Sequence, residues 1–132
     1  MKILFVLPMA EKYTGSPAAP LGAISLCTYL NRLGHEAWIC DRMMNHLDLE
    51  EELKNRHPDI VGISTVSALG FNDATQIARI AREHGAHVVA GGPVASMMPE
   101  SMLRNGIAEI VSIGEGETSW LHIIEYYEGK RK

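Results

Sequence analysis

The chain has 132 residues, 46% of them hydrophobic and 21% charged, enough for one packed domain and too few for two. Acids outnumber Lys plus Arg by 16 to 12, for a formal charge of −4, so the basic excess of a general nucleic-acid binder is missing. No apolar run approaches the ~18 residues of a membrane span. Residues 1–7, with Pro8 and Glu11-Lys12 behind them, are too short for a secretory signal, and a cytoplasmic location is the expectation.

Residues 2–8, Lys-Ile-Leu-Phe-Val-Leu-Pro, form a continuous apolar run of strand length, as expected for a strand covered on both faces. Residues 9–20 contain Gly15, Pro17 and Pro20 and read as a loop. A helical pattern follows over residues 21–33, with Ile24, Cys27 and Leu30 expected inward and Gly34 as its stop. Residues 36–41 are a second short strand. Asp48 with Glu51 three residues on resembles a capping box, opening a helix through His57 that Pro58 ends. Residues 59–64, Asp-Ile-Val-Gly-Ile-Ser, make a third, central strand.

Ala74, Ile77, Ala78 and Ala81 give the clearest helical period in the chain, closed by Gly85. Strand four is 86–90, followed by Gly91-Gly92-Pro93. Pro99 suits the first turn of a short helix stopping at Gly106. Residues 109–113 are strand five, 114–117 a glycine-interrupted turn, and a last helix carries Trp120, Leu121 and Ile124 inward. The domain is expected to span 1–128, with 129–132 as a polar tail or the start of a linker.

Strict strand–helix alternation with short connections predicts an α/β fold with a parallel sheet and right-handed crossovers. Five strands predict the flavodoxin-like (Rossmann-like) doubly wound order 2-1-3-4-5, with ligands above the carboxyl ends of the strands. The loops there are 9–20, 64–71, 91–96 and 114–117. They are small, glycine-rich and hydroxyl-bearing, and Lys12 is their only basic residue. No GxxxxGK[ST] phosphate loop occurs, and no GxGxxG follows the first strand. Asp41 reads as a plain strand-end aspartate. A phosphoacceptor receiver would need acids where Pro8 and Ser64-Thr65 stand. The small residues ending strands three to five let backbone approach a wide ligand closely.

Cys27 and Cys40 lie among apolar neighbours and read as buried, reduced thiols. Two thiols are too few for an iron–sulfur cluster held by this chain alone. The histidines His35, His57 and His84 sit near helix ends, where a partial positive charge suits the helix dipole.

Five segments together resemble the N-terminal cobalamin-binding domain of B12-dependent radical SAM proteins, a family of methyltransferases and the anaerobic oxidative cyclase. They are Pro20-Leu21-Gly22, residues 33–36, residues 58–64, residues 89–93 with Gly91-Gly92-Pro93, and Gly114-Glu115-Gly116-Glu117. The resemblance covers residues 1 to about 128. It implies that Ser64-Thr65-Val66 and Gly91-Gly92 flank the nucleotide tail of cobalamin. It also implies that Gly114-Glu115-Gly116-Glu117 borders that tail and the corrin edge, and that residues 9–21 lie under the ring. Pro20, Leu21, Gly22 and Pro93 complete the expected cofactor-binding set; no catalytic or metal-ligating residue is expected.

The Asp-x-His-x-x-Gly motif whose histidine ligates cobalt in other cobalamin domains fits none of His35, His46, His57, His84, His87 and His122. No histidine lower ligand from this chain is therefore expected. The CxxxCxxC motif is missing as well, so a 4Fe-4S cluster and S-adenosylmethionine would belong to a separate radical SAM domain, a partner in cis or in trans. The chain is expected to be a module excised from such an enzyme, not catalytic by itself. The alternatives are a stand-alone corrinoid carrier and a small flavodoxin-like FMN redox protein, for which Tyr13, Thr14 and Ser16 offer a thin version of the flavin loop.

Overall fold

The computed structural model of the chain describes residues 1–10, 19–44 and 48–132. Along β1 (Lys2–Leu7) successive side chains leave on opposite faces of the strand, and the apolar run therefore feeds two cores. Ile3, Phe5 and Leu7 join one cluster with Leu30 and Trp120. Leu4 and Val6 join the other with Leu53, Ile77 and Met102. β1 is accordingly an interior strand of a parallel sheet with helices on both sides.

The remaining strands are β2 (Glu36–Asp41), β3 (Ile60–Ser64), β4 (His87–Gly91) and β5 (Ile110–Val111). All pairings are parallel, and the order is β2-β1-β3-β4-β5, the flavodoxin-like order the sequence predicts. The helices α1 (Leu21–Arg32) and α6 (Gly116–Tyr127) cover one face. The opposite face carries α2 (Leu49–Arg56), α3 (Phe71–Glu83), α4 (Pro93–Met97) and α5 (Pro99–Arg104).

Four local expectations are corrected. The buried stripe of α1 is Ala23, Cys27 and Leu30, and Ile24 faces outward, 41% exposed. With Leu21, Ala23, Ile24 and Leu26 all apolar, periodicity alone left the rotation of this helix open. β5 is two residues long because it is an edge strand: after Ser112 N–H bonds Ala90 O at 2.8 Å, the chain turns at Gly114 with φ 76°. Pro93 continues straight into α4, where a turn was expected, its fixed φ suiting a first helical position. Asp48 does cap α2, but through the Glu50 N–H at 2.9 Å, and the helix stops one residue early, with His57 in the left-handed region at φ 47°.

Cys27 and Cys40 are both free and buried. Burial pushes each thiol from the ordinary 9.0 up to about 11. The folded chain thus keeps both protons where the unfolded chain loses them. Stability from this source is full below pH 9 and is lost as pH rises towards 11. The urea midpoint is expected to fall across that window, and native thiols are expected to resist iodoacetamide at about pH 8 until the protein is unfolded. Native labelling as fast as that of the unfolded chain would contradict this.

Candidate functional site

The strand register builds a slot. On the face covered by α1 and α6, one row of residues across the sheet is Phe5, Gly62, Val89 and Ile110. The next row towards the carboxyl edge holds Leu7, Ser64 and Gly91, with Ser112 following β5. Gly91 carries no side chain, so a trough runs beside it between Ser64 and Ser112. α1 and α6 roof it, and the result is a cavity of about 360 Å³ opening at the carboxyl edge.

The two glycines do different things. A Cβ on Gly62 would lie 2.8 Å from Phe5 and from the outer ring of Trp120. Only glycine lets those rings meet over β3, where they pack edge to face at a centroid distance of 4.7 Å. They close the inner end of the slot. A Cβ on Gly91 would sit at ordinary contact distance, 3.6 Å from Ser112 Cβ. Space beside Gly91 is therefore free for a ligand.

The sequence-derived residues converge here. Pro20, Leu21 and Gly22 at the start of α1, Ser64 and Val66 after β3, and Gly91, Gly92 and Pro93 after β4 line the slot, as do Gly114, Glu115, Gly116 and Glu117. Thr65 does not. It is buried, and its hydroxyl donates to Gly91 O at 2.7 Å and accepts from Ala95 N–H at 2.9 Å. It ties the end of β3 to α4 and holds the Gly91–Gly92 backbone in place. Gly92 stands at φ 96°, and a Cβ there would lie about 3 Å from the Thr65 backbone, a position open only to glycine.

Phe5, Gly62, Ser112 and Trp120 also line the slot, and the sequence analysis did not assign them to it. The one available signal was Gly62 interrupting an otherwise branched, apolar strand.

α1 and α6 are both 12 residues long, and both begin at the slot mouth without a side-chain cap. Their first-turn N–H groups and dipoles make the mouth receptive to an anion. Glu117 is drawn aside, accepting from Ser25 Oγ at 2.9 Å.

Across the end of β3 a second, smaller cavity of about 140 Å³ is lined by Pro8, Asp41, Met43 and Met44, and it shares Ser64 and Val66 with the slot. Asp41 accepts the N–H groups of Met43 and Met44 at 3.0 and 3.3 Å, so it shapes its own turn, as expected of a strand-end aspartate. Asp73 anchors this side. It takes a bidentate pair of bonds from Arg42, at 2.8 and 2.9 Å, and the Met9 N–H at 2.7 Å. The start of the first loop and the end of β2 are thereby pinned to α3.

Exposed apolar side chains gather at the same edge. Leu21, Val66, Met97 and Ile113 all follow the carboxyl ends of strands, with Met9, Met44 and Leu69 beside the second cavity. An apolar rim of this size around a cleft marks a binding surface. None of the described histidines lines either cavity, and no group of three or more potential metal ligands occurs among the described residues. Lys12, Tyr13, Thr14, Ser16 and His46 lie outside the described residues.

A doubly wound sheet with a deep slot beside its central strands defines a cofactor-binding module. The comparisons agree. Residues 12–124 match the B12 binding domain, and the chain belongs to that family of cobalamin-binding modules. A cobalamin-binding protein from Desulfitobacterium hafniense has a similar structure, with a TM-score of 0.69 at 16% identity. The match covers 96% of this chain and 58% of that one, so the chain spans less than two thirds of that protein's length. A signal receiver domain of a modulated diguanylate cyclase from Desulfovibrio desulfuricans matches with a TM-score of 0.58 at 13% identity, over 98% and 97% of the two chains. The N-terminal domain of a hypothetical protein from Thermotoga maritima matches with a TM-score of 0.52 at 26% identity, over 94% and 96%. The first two likenesses speak for the fold alone. No curated protein matches the chain.

The residues present fit cobalamin. The slot is narrow, mostly apolar and deep enough for a planar base with its sugar, and far too small for a corrin. A Cβ on Gly91 would project into this cradle. The corrin would rest on the apolar rim outside.

Proposed function

We propose that the chain is the cobalamin-binding domain of a B12-dependent radical SAM enzyme, with the nucleotide tail drawn into the slot. The observation that carries this reading is the slot under α1 and α6, left open beside Gly91 and closed at its inner end where Phe5 and Trp120 meet over Gly62. Ser64, Val66, Gly91 and Gly92 line the path of the tail. The uncapped starts of α1 and α6 face its phosphate, and Leu21, Val66, Met97 and Ile113 support the corrin edge. Bound cobalamin supplies a cobalt centre that can accept and hand on a methyl group.

The five segments of family resemblance support the radical SAM association. On this reading cobalt would take no histidine lower ligand from this chain, since none of its histidines stands in an Asp-x-His-x-x-Gly motif. The rim covers one face of the ring only, so the other face is left for a catalytic domain bearing the 4Fe-4S cluster and S-adenosylmethionine.

Mixing the chain with excess hydroxocobalamin, followed by gel filtration, is expected to give a coloured protein. Its visible spectrum at neutral pH should show dimethylbenzimidazole withdrawn from cobalt and no imidazole in its place. A colourless protein, even after refolding with excess cobalamin, would overturn the binding mode. The finer reading is checked by the full reading frame of the protein: a CxxxCxxC motif is expected beyond residue 132, and a frame without one, in a cell with no partner radical SAM protein, would overturn it.

A further inference from the structure

The wall of the slot holds two polar groups that the tail-binding reading leaves unused, Trp120 at its inner end and Ser112 one row nearer the mouth. Trp120 is 2% exposed, yet its indole N–H donates to no acceptor among the described residues. Every side-chain nitrogen or oxygen fully shut off from solvent has a partner among the described residues. The Trp120 N–H is therefore not fully shut off from solvent, and Trp120 lines the slot. Ser112 is similar. It is 4% exposed and lines the slot, and its hydroxyl has no partner among the described residues either. It sits one strand away from Gly91, at contact distance from where a Cβ there would be.

These groups are held in place. Phe5 packs edge-on against the indole, and Gly62 brings β3 up to its outer ring. The indole cannot swing its N–H elsewhere, so whatever enters the slot meets a fixed donor at the closed end. Leaving such a donor buried without an acceptor costs roughly five- to hundredfold in affinity.

We propose that Trp120 and Ser112 select the base at the end of the corrinoid tail, favouring a purine over dimethylbenzimidazole. This rests on the tail entering the slot. The outer edge of dimethylbenzimidazole is two methyl groups, which would leave the indole N–H unpaired. The outer edge of adenine offers a ring nitrogen to that N–H and an amino group that the Ser112 hydroxyl can accept from.

The test titrates the full chain with three probes: cobinamide, which has no tail, cobalamin, and the cobamide bearing adenine. Dissociation constants are read from the visible spectrum and from quenching of tryptophan fluorescence. The adenine cobamide is expected to bind at least about tenfold more tightly than cobalamin, and cobalamin more tightly than cobinamide. Trp120→Phe should erase most of the preference for adenine, and Ser112→Ala part of it. The ranking on the unmodified chain stands even if Trp120→Phe fails to fold. Cobalamin binding as tightly as the adenine form, with both above cobinamide, overturns the base preference while leaving the tail in the slot. Equal binding of all three overturns the tail reading and the preference with it.

Discussion

Replacing Gly91 with valine is expected to leave the fold intact and to weaken cobalamin binding by at least about a hundredfold. The backbone at Gly91 is ordinary strand, and its carbonyl still receives the Thr65 N–H at 2.8 Å and the Thr65 hydroxyl at 2.7 Å. A Cβ there meets Ser112 only at 3.6 Å, and a β-branched residue suits the end of a paired strand. The two branches of valine would instead occupy the trough beside Ser64. Alanine at the same position fills less and should have an intermediate effect. Fluorescence titration with cobalamin, together with a thermal melt of each variant, checks both halves. A valine variant that binds like the parent would mean that the tail takes another route.

The neighbouring glycine is expected to behave in the opposite way. Gly92→Ala should destabilise the protein by at least about 2 kcal/mol, a fall of roughly 10 °C in Tm. At φ 96° and ψ 179° the residue occupies a region that side chains avoid. Its Cβ would also lie 3.0 Å from Thr65 O and 3.1 Å from Thr65 N. Those are backbone atoms, held by the hydroxyl bonds of Thr65 to both sides, so they cannot give way as a side-chain tip would. A melt of this variant matching the parent would show that the β3–α4 junction is softer than its hydrogen bonds indicate.

The pair Gly91-Gly92 therefore divides into one glycine that leaves space in the slot and one that the backbone requires. In the sequence the two were a single motif, because neither register nor φ is legible in two adjacent letters. Thr65 shows the same limit. It stood in the candidate site between Ser64 and Val66, but alternation along the strand sends its side chain away from the slot and into a structural bond. The second cavity and Asp41 went the other way: the sequence treated Asp41 as an ordinary strand-end residue, and its carboxylate is indeed consumed by the turn it begins.

The missed residues share a cause as well. Phe5 and Trp120 lie at opposite ends of the chain, and each reads locally as core. They become the floor of a slot only because β1 and α6 are packed together across the same sheet face. Ser112 gains its place in the same way, through the pairing of β5 with β4. Sequence periodicity reports which side of an element is apolar and carries no information about what stands opposite.

The sequence by itself determined the order of elements and hence the parallel sheet, because alternating strands and helices with short connections allow few other right-handed arrangements. It also determined which loops share the carboxyl edge, since in such a sheet every loop that follows a strand lies there. Only the tertiary structure decided where that edge is hollow. A hollow needs a residue without a side chain facing it and large rings to close it, and these are brought together by packing between segments far apart in the chain.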